Sequence, residues 1–372
     1  MVEKRHIAVV FGGRSSEHEV SRISAQSILQ NIDRNKYDVT MIGITREGRW
    51  LIYDGPVEKL STGEWQAIAE SQADSGNTLL PAGGYLDSPA GILEAAGAGQ
   101  GKKKIDVVFP VLHGCNGEDG TIQGLLELAE IPYVGCGVLA SALGMDKAYA
   151  KIIFEKAGIP QGKYLVFNRK QLNTNLESII EQVEDSLAYP CFVKPSNAGS
   201  SVGVSKAGNR EKLIEALNLA ARYDRRILVE EFIDGREVEC AVLGNDEPIA
   251  STVGEIIAGS DFYDYHDKYI NDISRVEIPA NLPEETINQI RDYAVRAFKS
   301  LDCAGLSRVD FFVHRKTGKI YINEINTLPG FTSISMYPKL WANSGISYSE
   351  LITRLIELAL ERFEDSKRDY SI

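Results

Sequence analysis

The chain has 372 residues, 44% hydrophobic and 25% charged, enough for two or three domains whose cores need no disulfide or metal staple. Its 40 Lys and Arg against 52 Asp and Glu leave a formal charge of −12, which repels nucleic acid and anionic membranes, so any phosphate binding must be local. The longest apolar runs, such as VVFPVL at 107–112, are far shorter than the roughly 20 residues a bilayer span requires. The start, MVEKRHIAVVFGG, enters a strand-like run and meets a glycine pair before reaching signal-peptide length, so a cytoplasmic location is expected. Cys115, Cys136, Cys191, Cys240 and Cys303 are odd in number and never form C-x-x-C, which reads as five ordinary reduced thiols.

In chain order, residues 6–11 read as a strand ended by Gly12 and Gly13, and Ser16-Glu17-His18-Glu19 fits a capping box before an imperfect helical stripe. Strand-like VTMIGI follows, completing a βαβ unit of the kind that builds a parallel sheet. Residues 56–104 fade into Gly, Ala, Ser and Gln and read as an excursion with weak structure. IDVVFPVLHG, a glycine loop and the helical TIQGLLELAEI then close a first α/β domain, 1–137. A helix at 139–157, the strand KYLVF, a polar helix to about 188, YPCFVKP, a helix at 210–222 and ILVEEFI make a compact α+β unit, 138–234. The last unit, 235–372, holds strands EVECAVLG and PIASTVGEII and a long polar loop with four aromatics. After it come a helix at 283–301, the hairpin strands LSRVDFFVH and KIYINEI, and a terminal helix through 346–362 with a frayed tail.

Asp310, Glu324 and Asn326 fall in one predicted hairpin. Two carboxylates and a carboxamide suit a magnesium–nucleotide site, and they equally suit a solvated hairpin edge. Glu324 and Asn326 share a strand face, and Asp310 joins them only if it pairs directly with Glu324 or a bulge adjusts the register. SNAGSSVG, directly after the strand CFVKP that contains Lys194, is a small-residue loop that can cradle phosphate or merely turn; the P-loop spacing is absent. Lys147 inside a helix is a phosphate ligand or a solvated lysine, the end of ILVEEFI an adenine edge or a plain strand, and His113 a ligand, a base or a structural histidine.

Taken in order, FGGRSSEHEVS, VLHGCNGEDGTIQGLLELAEIPYVGCGVLASALGMDK, FVKPSNAGSSVGVSK, DFYDYHDKY, SRVDFFV and INEINTLPGFTSISMYP resemble the D-alanine-D-alanine ligase family of the ATP-grasp superfamily over nearly the whole chain. The resemblance implies a three-domain ATP-grasp architecture with a Rossmann-like first domain. It also implies joining of two D-alanines through a D-alanyl phosphate, with ATP, two Mg2+ or Mn2+ ions and in some cases a monovalent cation, in a homodimer. It assigns ATP phosphates to Lys147 and Lys194, adenine to Glu230, Glu231, Phe232 and Ile233, further nucleotide contacts to Glu237 and Asn323, and the metals to Asp310, Glu324 and Asn326. Glu17 matches the carboxylate that binds the first D-alanine's ammonium, linked to Ser200 and Tyr269, with His113 near that substrate's carboxylate. Arg308 and the Gly330 N–H match oxyanion donors, and Ser335 and Met336 match the second D-alanine's carboxylate site. The Lys268-Tyr269 pair argues for an amino acid as second substrate over D-lactate and leaves D-serine open. The loop around Tyr269 is expected to be mobile without ATP and to order over the site. Glu231 and Ile334 depart from residues common in relatives, lysine and histidine respectively. The rivals are a D-serine- or D-lactate-using ligase, another ATP-grasp carboxylate ligase, and a non-catalytic nucleotide module. A Rossmann dehydrogenase lacks its G-x-G-x-x-G.

Overall fold

The computed structural model describes residues 4–74, 104–199, 202–257 and 275–369. The first sheet has the order β3-β2-β1-β4, built from β1 (Arg5–Gly12), β2 (Tyr37–Ile44), β3 (Trp50–Tyr53) and β4 (Val107–Val111). β1 is parallel to both β2 and β4, as the βαβ pattern requires, and β3 adds an antiparallel edge. The chain leaves β1 toward β2 on one side and returns as β4 on the other, so the carboxyl ends of β1 and β4 frame a crevice where side chains can meet a ligand.

The helix α1 (His18–Asn31) starts one residue later than a capping box at Ser16 would place it. Glu17 is its N-cap without a side-chain cap bond; the Ser15 hydroxyl instead accepts from the Glu17 N–H at 3.1 Å, which leaves the carboxylate for the crevice. The expectation of weak structure from residue 56 fails over its first part. Two helices, α2 (Lys59–Thr62) and α3 (Trp65–Asp74), form there because Leu60 and Trp65 are buried in the core, Trp65 edge-on to Phe11 at 4.9 Å between ring centroids. Residues 75–103 of that excursion lie outside the described residues.

After α4 (Thr121–Leu128), the helix expected at 139–157 is two, α5 (Val138–Met145) and α6 (Lys147–Lys156), broken by extended backbone at Asp146. The Asp146 carboxylate caps α6 by accepting from the Tyr149 N–H. Ala140 of α5 and Ala150 and Phe154 of α6 share a core with the last sheet. The middle sheet, order β5-β8-β6-β7, comprises β5 (Tyr164–Asn168), β6 (Cys191–Pro195), β7 (Ser205–Ala207) and β8 (Arg226–Glu231). One face is covered by α7 (Arg169–Thr174), α8 (Leu176–Ser186) and α9 (Arg210–Tyr223), with Ile180, Val183, Leu213 and Leu217 buried. The polar helix expected up to 188 is thus split at Asn175 into α7 and α8.

The last sheet, order β11-β10-β9-β12-β13, comprises β9 (Gly235–Gly244), β10 (Ile249–Ile257), β11 (Arg275–Glu277), β12 (Gly305–His314) and β13 (Ile320–Asn326). The helix α10 (Glu284–Ser300) packs on it through Ile290, Ala294, Ala297 and Phe298. A helix not expected from the sequence, α11 (Met336–Asn343), precedes the expected terminal helix, α12 (Tyr348–Asp365), and the two tie the last sheet to the first through Tyr337, Leu340, Leu351 and Leu355. Among the described residues no helix is long and apolar enough to cross a membrane. All five cysteines are free thiols, with Cys115 exposed and the others buried.

Candidate functional site

A cleft of about 1210 Å3 runs between the middle and last sheets and ends at the crevice of the first. The β12–β13 hairpin forms its floor. Asp310 pairs directly opposite Glu324 and Arg308 opposite Asn326, with a register shift immediately after Asp310, so all four side chains share a face. Arg308 grips Asp310 with two hydrogen bonds, 2.8 and 2.7 Å, and its Nε is 3.0 Å from Glu239 on the neighbouring strand β9. Burial alone would lower the Arg308 pKa; Asp310 and Glu239 overturn that and raise it well above the ordinary value. The Asn326 amide donates to Asp310 at 3.0 Å. Two carboxylates and a carboxamide carbonyl are hard oxygen donors that fit a magnesium-like ion. Among the described residues no three His, Cys, Asp or Glu side chains converge on one point, so an ion there would draw part of its shell from phosphate or water oxygens.

Two lysines overhang the floor. Lys147 is the first residue of α6 rather than an interior one, because Asp146 breaks the helix before it. Asp146 also accepts from Ser196 Oγ at 2.6 Å and pairs with Arg226, which fastens this helix start to the segment leading into the glycine-rich loop. Lys147 Nζ lies 3.5 Å from Glu324 Oε2 and donates to the Ala198 carbonyl at 2.9 Å. Lys194, from β6, lies 2.6 Å from Glu230 and 3.3 Å from Asn323 Oδ1. Burial would raise the Glu230 carboxyl, but the ammoniums of Lys151 and Lys194 outweigh it and bring the pKa down to about 2. Beyond Glu230 the chain leaves β8 through Glu231, Phe232 and Ile233, which line the cleft along with Glu237. Glu231 accepts from the Lys163 N–H at 2.7 Å, and the Phe232 ring leans on Phe192, centroids 6.2 Å apart, with Lys206 Nζ 4.5 Å from its centre.

At the far end the Glu17 carboxylate is wedged between two backbones. A β-carbon at either Gly114 or Gly199 would stand 2.5 Å from Glu17 Oε2, so only glycine permits this approach. Glu118 accepts from the Gly114 N–H at 2.6 Å; burial, and next the neighbouring Glu17 charge, raise its carboxyl well above the ordinary value. His113 is 4% exposed, and burial pulls its pKa down to about 4 against the opposing bond to the Leu328 carbonyl. That carbonyl, 3.2 Å from Nδ1, can only accept, so Nδ1 carries the proton and Nε2 accepts from the Ser24 hydroxyl at 3.1 Å. Ser24 Oγ in turn faces the Phe331 N–H at 3.3 Å, and the Tyr348 hydroxyl meets the Phe331 carbonyl. Gly330 is thus held in a segment pinned on both sides. Ser335 turns its hydroxyl toward Thr332, 2.8 Å between hydroxyl oxygens, just before Met336 opens α11. Ile334 lines the cleft and is 54% exposed.

The cleft therefore gathers Glu17, His113, Lys147, Lys194, Glu230, Glu231, Phe232, Ile233, Glu237, Arg308, Asn323, Glu324, Asn326, Gly330, Ser335 and Met336. Asp310 lies directly beneath, on Arg308. Ser200, Lys268, Tyr269 and the loop expected to move lie outside the described residues. Sequence reasoning missed Lys151, Glu239, Glu118 and Ser24. Lys151 follows Lys147 by four residues on one helix face and Glu239 follows Glu237 by two on one strand face, signals that periodicity could have supplied.

Two family models match: the D-ala D-ala ligase N-terminus over residues 6–136 and the D-ala D-ala ligase C-terminus over 153–357. The D-alanine–D-alanine ligase of Ruminiclostridium cellulolyticum is 66% identical, with 100% of this chain and 99% of that protein covered. Among solved structures, the VanG D-Ala:D-Ser ligase from Enterococcus faecalis is 41% identical with a TM-score of 0.80, covering 96% of this chain and 100% of that one. The D-alanine-D-alanine ligase from Coxiella burnetii is 35% identical with a TM-score of 0.79, covering 98% and 96%.

Proposed function

The chain belongs to the D-alanine-D-alanine ligase family, an ATP-grasp enzyme that ligates D-alanine to D-alanine, and on that premise we propose how the residues of its cleft divide the work. A carboxylate resists attack by an amine because oxide is a poor leaving group; transfer of a phosphoryl group from ATP to the first D-alanine makes phosphate the leaving group instead. The protein's share is then positioning and charge stabilisation.

In this proposal Lys147 and Lys194 hold the phosphates, and the backbone of 230–233 holds the adenine between Phe192, Phe232 and Ile322. Glu237 takes the ribose and Asn323 sits by the phosphates. Asp310, Glu324 and Asn326 would hold two divalent ions, Mg2+ or Mn2+; such ions, when bound, neutralise phosphate charge. Glu17 receives the ammonium of the first D-alanine. His113, neutral because it is buried, stands by that substrate's carboxylate without fixing it as an ion pair would. Arg308 and the Gly330 N–H face the oxyanion, whose charge develops only during acyl transfer. The Ser335 hydroxyl and the Met336 N–H, at the positive end of α11, take the carboxylate of the second D-alanine. Ser200, Lys268 and Tyr269 are proposed to complete that end, and the units 1–137, 138–234 and 235–372 to supply the amino-acid site, the nucleotide cover and the transfer floor. A homodimer in the cytoplasm is the proposed setting.

The observation that carries this reading is the direct Asp310–Glu324 pairing beneath two lysines in the cleft that Glu17 enters. ATP-dependent phosphate release is the test: it should require D-alanine, fail with L-alanine and vanish with EDTA. Equal release with L-alanine would overturn the proposal. The similarity to a D-Ala:D-Ser ligase favours one second reading, D-serine as acceptor. The mass of the dipeptide formed from equal D-alanine and D-serine separates the two.

A further inference from the structure

Glu230 has an ammonium on each of its oxygens. Lys194 Nζ is 2.6 Å from Oε2 and Lys151 Nζ 2.6 Å from Oε1. The two lysines differ in what else they reach. Both line the cleft, but Lys194 also faces Asn323 and is 15% exposed, whereas the Lys151 side chain is 3% exposed and Glu230 is its one ion-pair partner among the described residues. Tyr164 covers its other side, with the ring centre 5.5 Å from Nζ. Lys151 stands one helical turn after Lys147 on α6, so the same helix brings two lysines to the cleft wall, Lys147 near Glu324 and Lys151 onto Glu230.

A nucleotide phosphate must draw Lys194 toward itself and away from Glu230. With no second cation, that move would strand a carboxylate that is 7% exposed, and a buried charge that loses its partner is strongly disfavoured. Lys194 would then stay docked on Glu230, and the phosphate would meet a lysine already spent. The permanent partner removes this conflict. The Lys147–Glu324 pair is built differently: at 3.5 Å it is looser, and Glu324 is among the oxygen donors that suit an ion, so another cation can take the place of Lys147.

We propose that Lys151 is a positioning residue for nucleotide binding, a buried counter-charge that stays on Glu230 so that Lys194 can pass to the phosphates of ATP. The proposal rests on the reading of the cleft as the ATP site. Lys194→Met tests that reading separately: if ATP binds this variant as it binds the parent, the nucleotide assignment falls whatever Lys151 does.

The experiment is a double-mutant cycle on the full chain, with the dissociation constant for ATP read by titration calorimetry and folding checked by thermal melting. Lys151→Met should weaken ATP binding on the order of 10- to 100-fold, while the KM for D-alanine moves by less than about twofold. In a Glu230→Gln background, where no carboxylate holds Lys194, adding Lys151→Met should cost less than about threefold. Equal losses in the two backgrounds would mean that Lys151 serves only as packing and would overturn the proposal. Should the single variant not fold, Lys151→Met/Glu230→Gln removes both charges together. It must still bind ATP as Glu230→Gln does, and failure to do so would also overturn it.

Discussion

The two ends of the cleft are made of different materials. On the hairpin floor the groups are ions in contact: Arg308 on Asp310 and Glu239, Lys147 near Glu324, Lys194 on Glu230. At the other end, beside the Glu17 and Glu118 carboxylates, a neutral relay runs from the Phe331 N–H through Ser24 and His113 to the Leu328 carbonyl. The difference teaches a division of labour. Ion pairs can trade partners when phosphate and metal arrive, because each charge finds another; neutral hydrogen bonds in a dry site have no such replacement and hold the backbone in place. A small positive pocket in a negative chain, the picture suggested by Lys147, Lys194 and Arg308 alone, is therefore incomplete, since each of these cations already faces a carboxylate.

The largest effect should come from the ionic end. Glu324→Gln should lower the rate of D-alanine-dependent phosphate release on the order of 10²–10³-fold with an unchanged melting temperature, and Asp310→Asn should lower it as far with a lowered melting temperature, because it also takes the carboxylate from Arg308. Near-normal turnover would remove the hairpin from the chemistry.

Next is Arg308→Met, which takes from Asp310 and Glu239, 2% and 3% exposed, the cation they share. Losing one partner of a buried ion pair costs about 3–5 kcal/mol, which urea denaturation would register. A loss below about 1 kcal/mol would show that water, not protein, surrounds those acids.

The two ends should also separate by pH. His113 has its folded pKa lowered from 6.5 to about 4, so between these values the unfolded chain binds the extra proton and stability falls as pH falls. The contribution is complete above 6.5 and amounts to about 3 kcal/mol lost by pH 4. Glu230, lowered from 4.5 to about 2, loses its contribution only as pH drops below 4.5. Urea midpoints from pH 7 to 3 should thus show two successive declines, and His113→Asn should flatten the upper one alone. An unchanged upper decline in that variant would assign it to other groups.

The smallest effect is expected of Ser24→Ala, which leaves the Phe331 N–H and His113 Nε2 without their hydroxyl. It should cost about 1–3 kcal/mol in unfolding free energy and lower kcat more than it changes the KM for ATP. A selective rise in the ATP KM would contradict the idea that this relay serves the amino-acid end.

Much of this was legible in the chain itself. Alternation in SRVDFFV and YINEIN gave the hairpin and put Glu324 and Asn326 on one face; the βαβ pattern gave the parallel first sheet. What stayed hidden depended on competition between local and distant contacts. Ser16 to Glu19, at the start of α1, satisfy a capping pattern, yet Glu17 is drawn instead to the gap between Gly114 and Gly199, segments about 100 and 180 residues away. Residues 56–74 look polar and weak, yet two helices form there with Leu60 and Trp65 buried, Trp65 against Phe11.

The sequence by itself determined the family, the kind of chemistry and the identity of most groups in the cleft, because those reside in residue types and their order. Only the tertiary structure decided the pairings. The β12–β13 register set Asp310 against Glu324, the break at Asp146 turned Lys147 toward the floor, and burial set Lys151 on Glu230 and kept His113 neutral. The physical reason is that charge and proton affinity depend on which neighbours exclude water, and those neighbours come from different stretches of the chain.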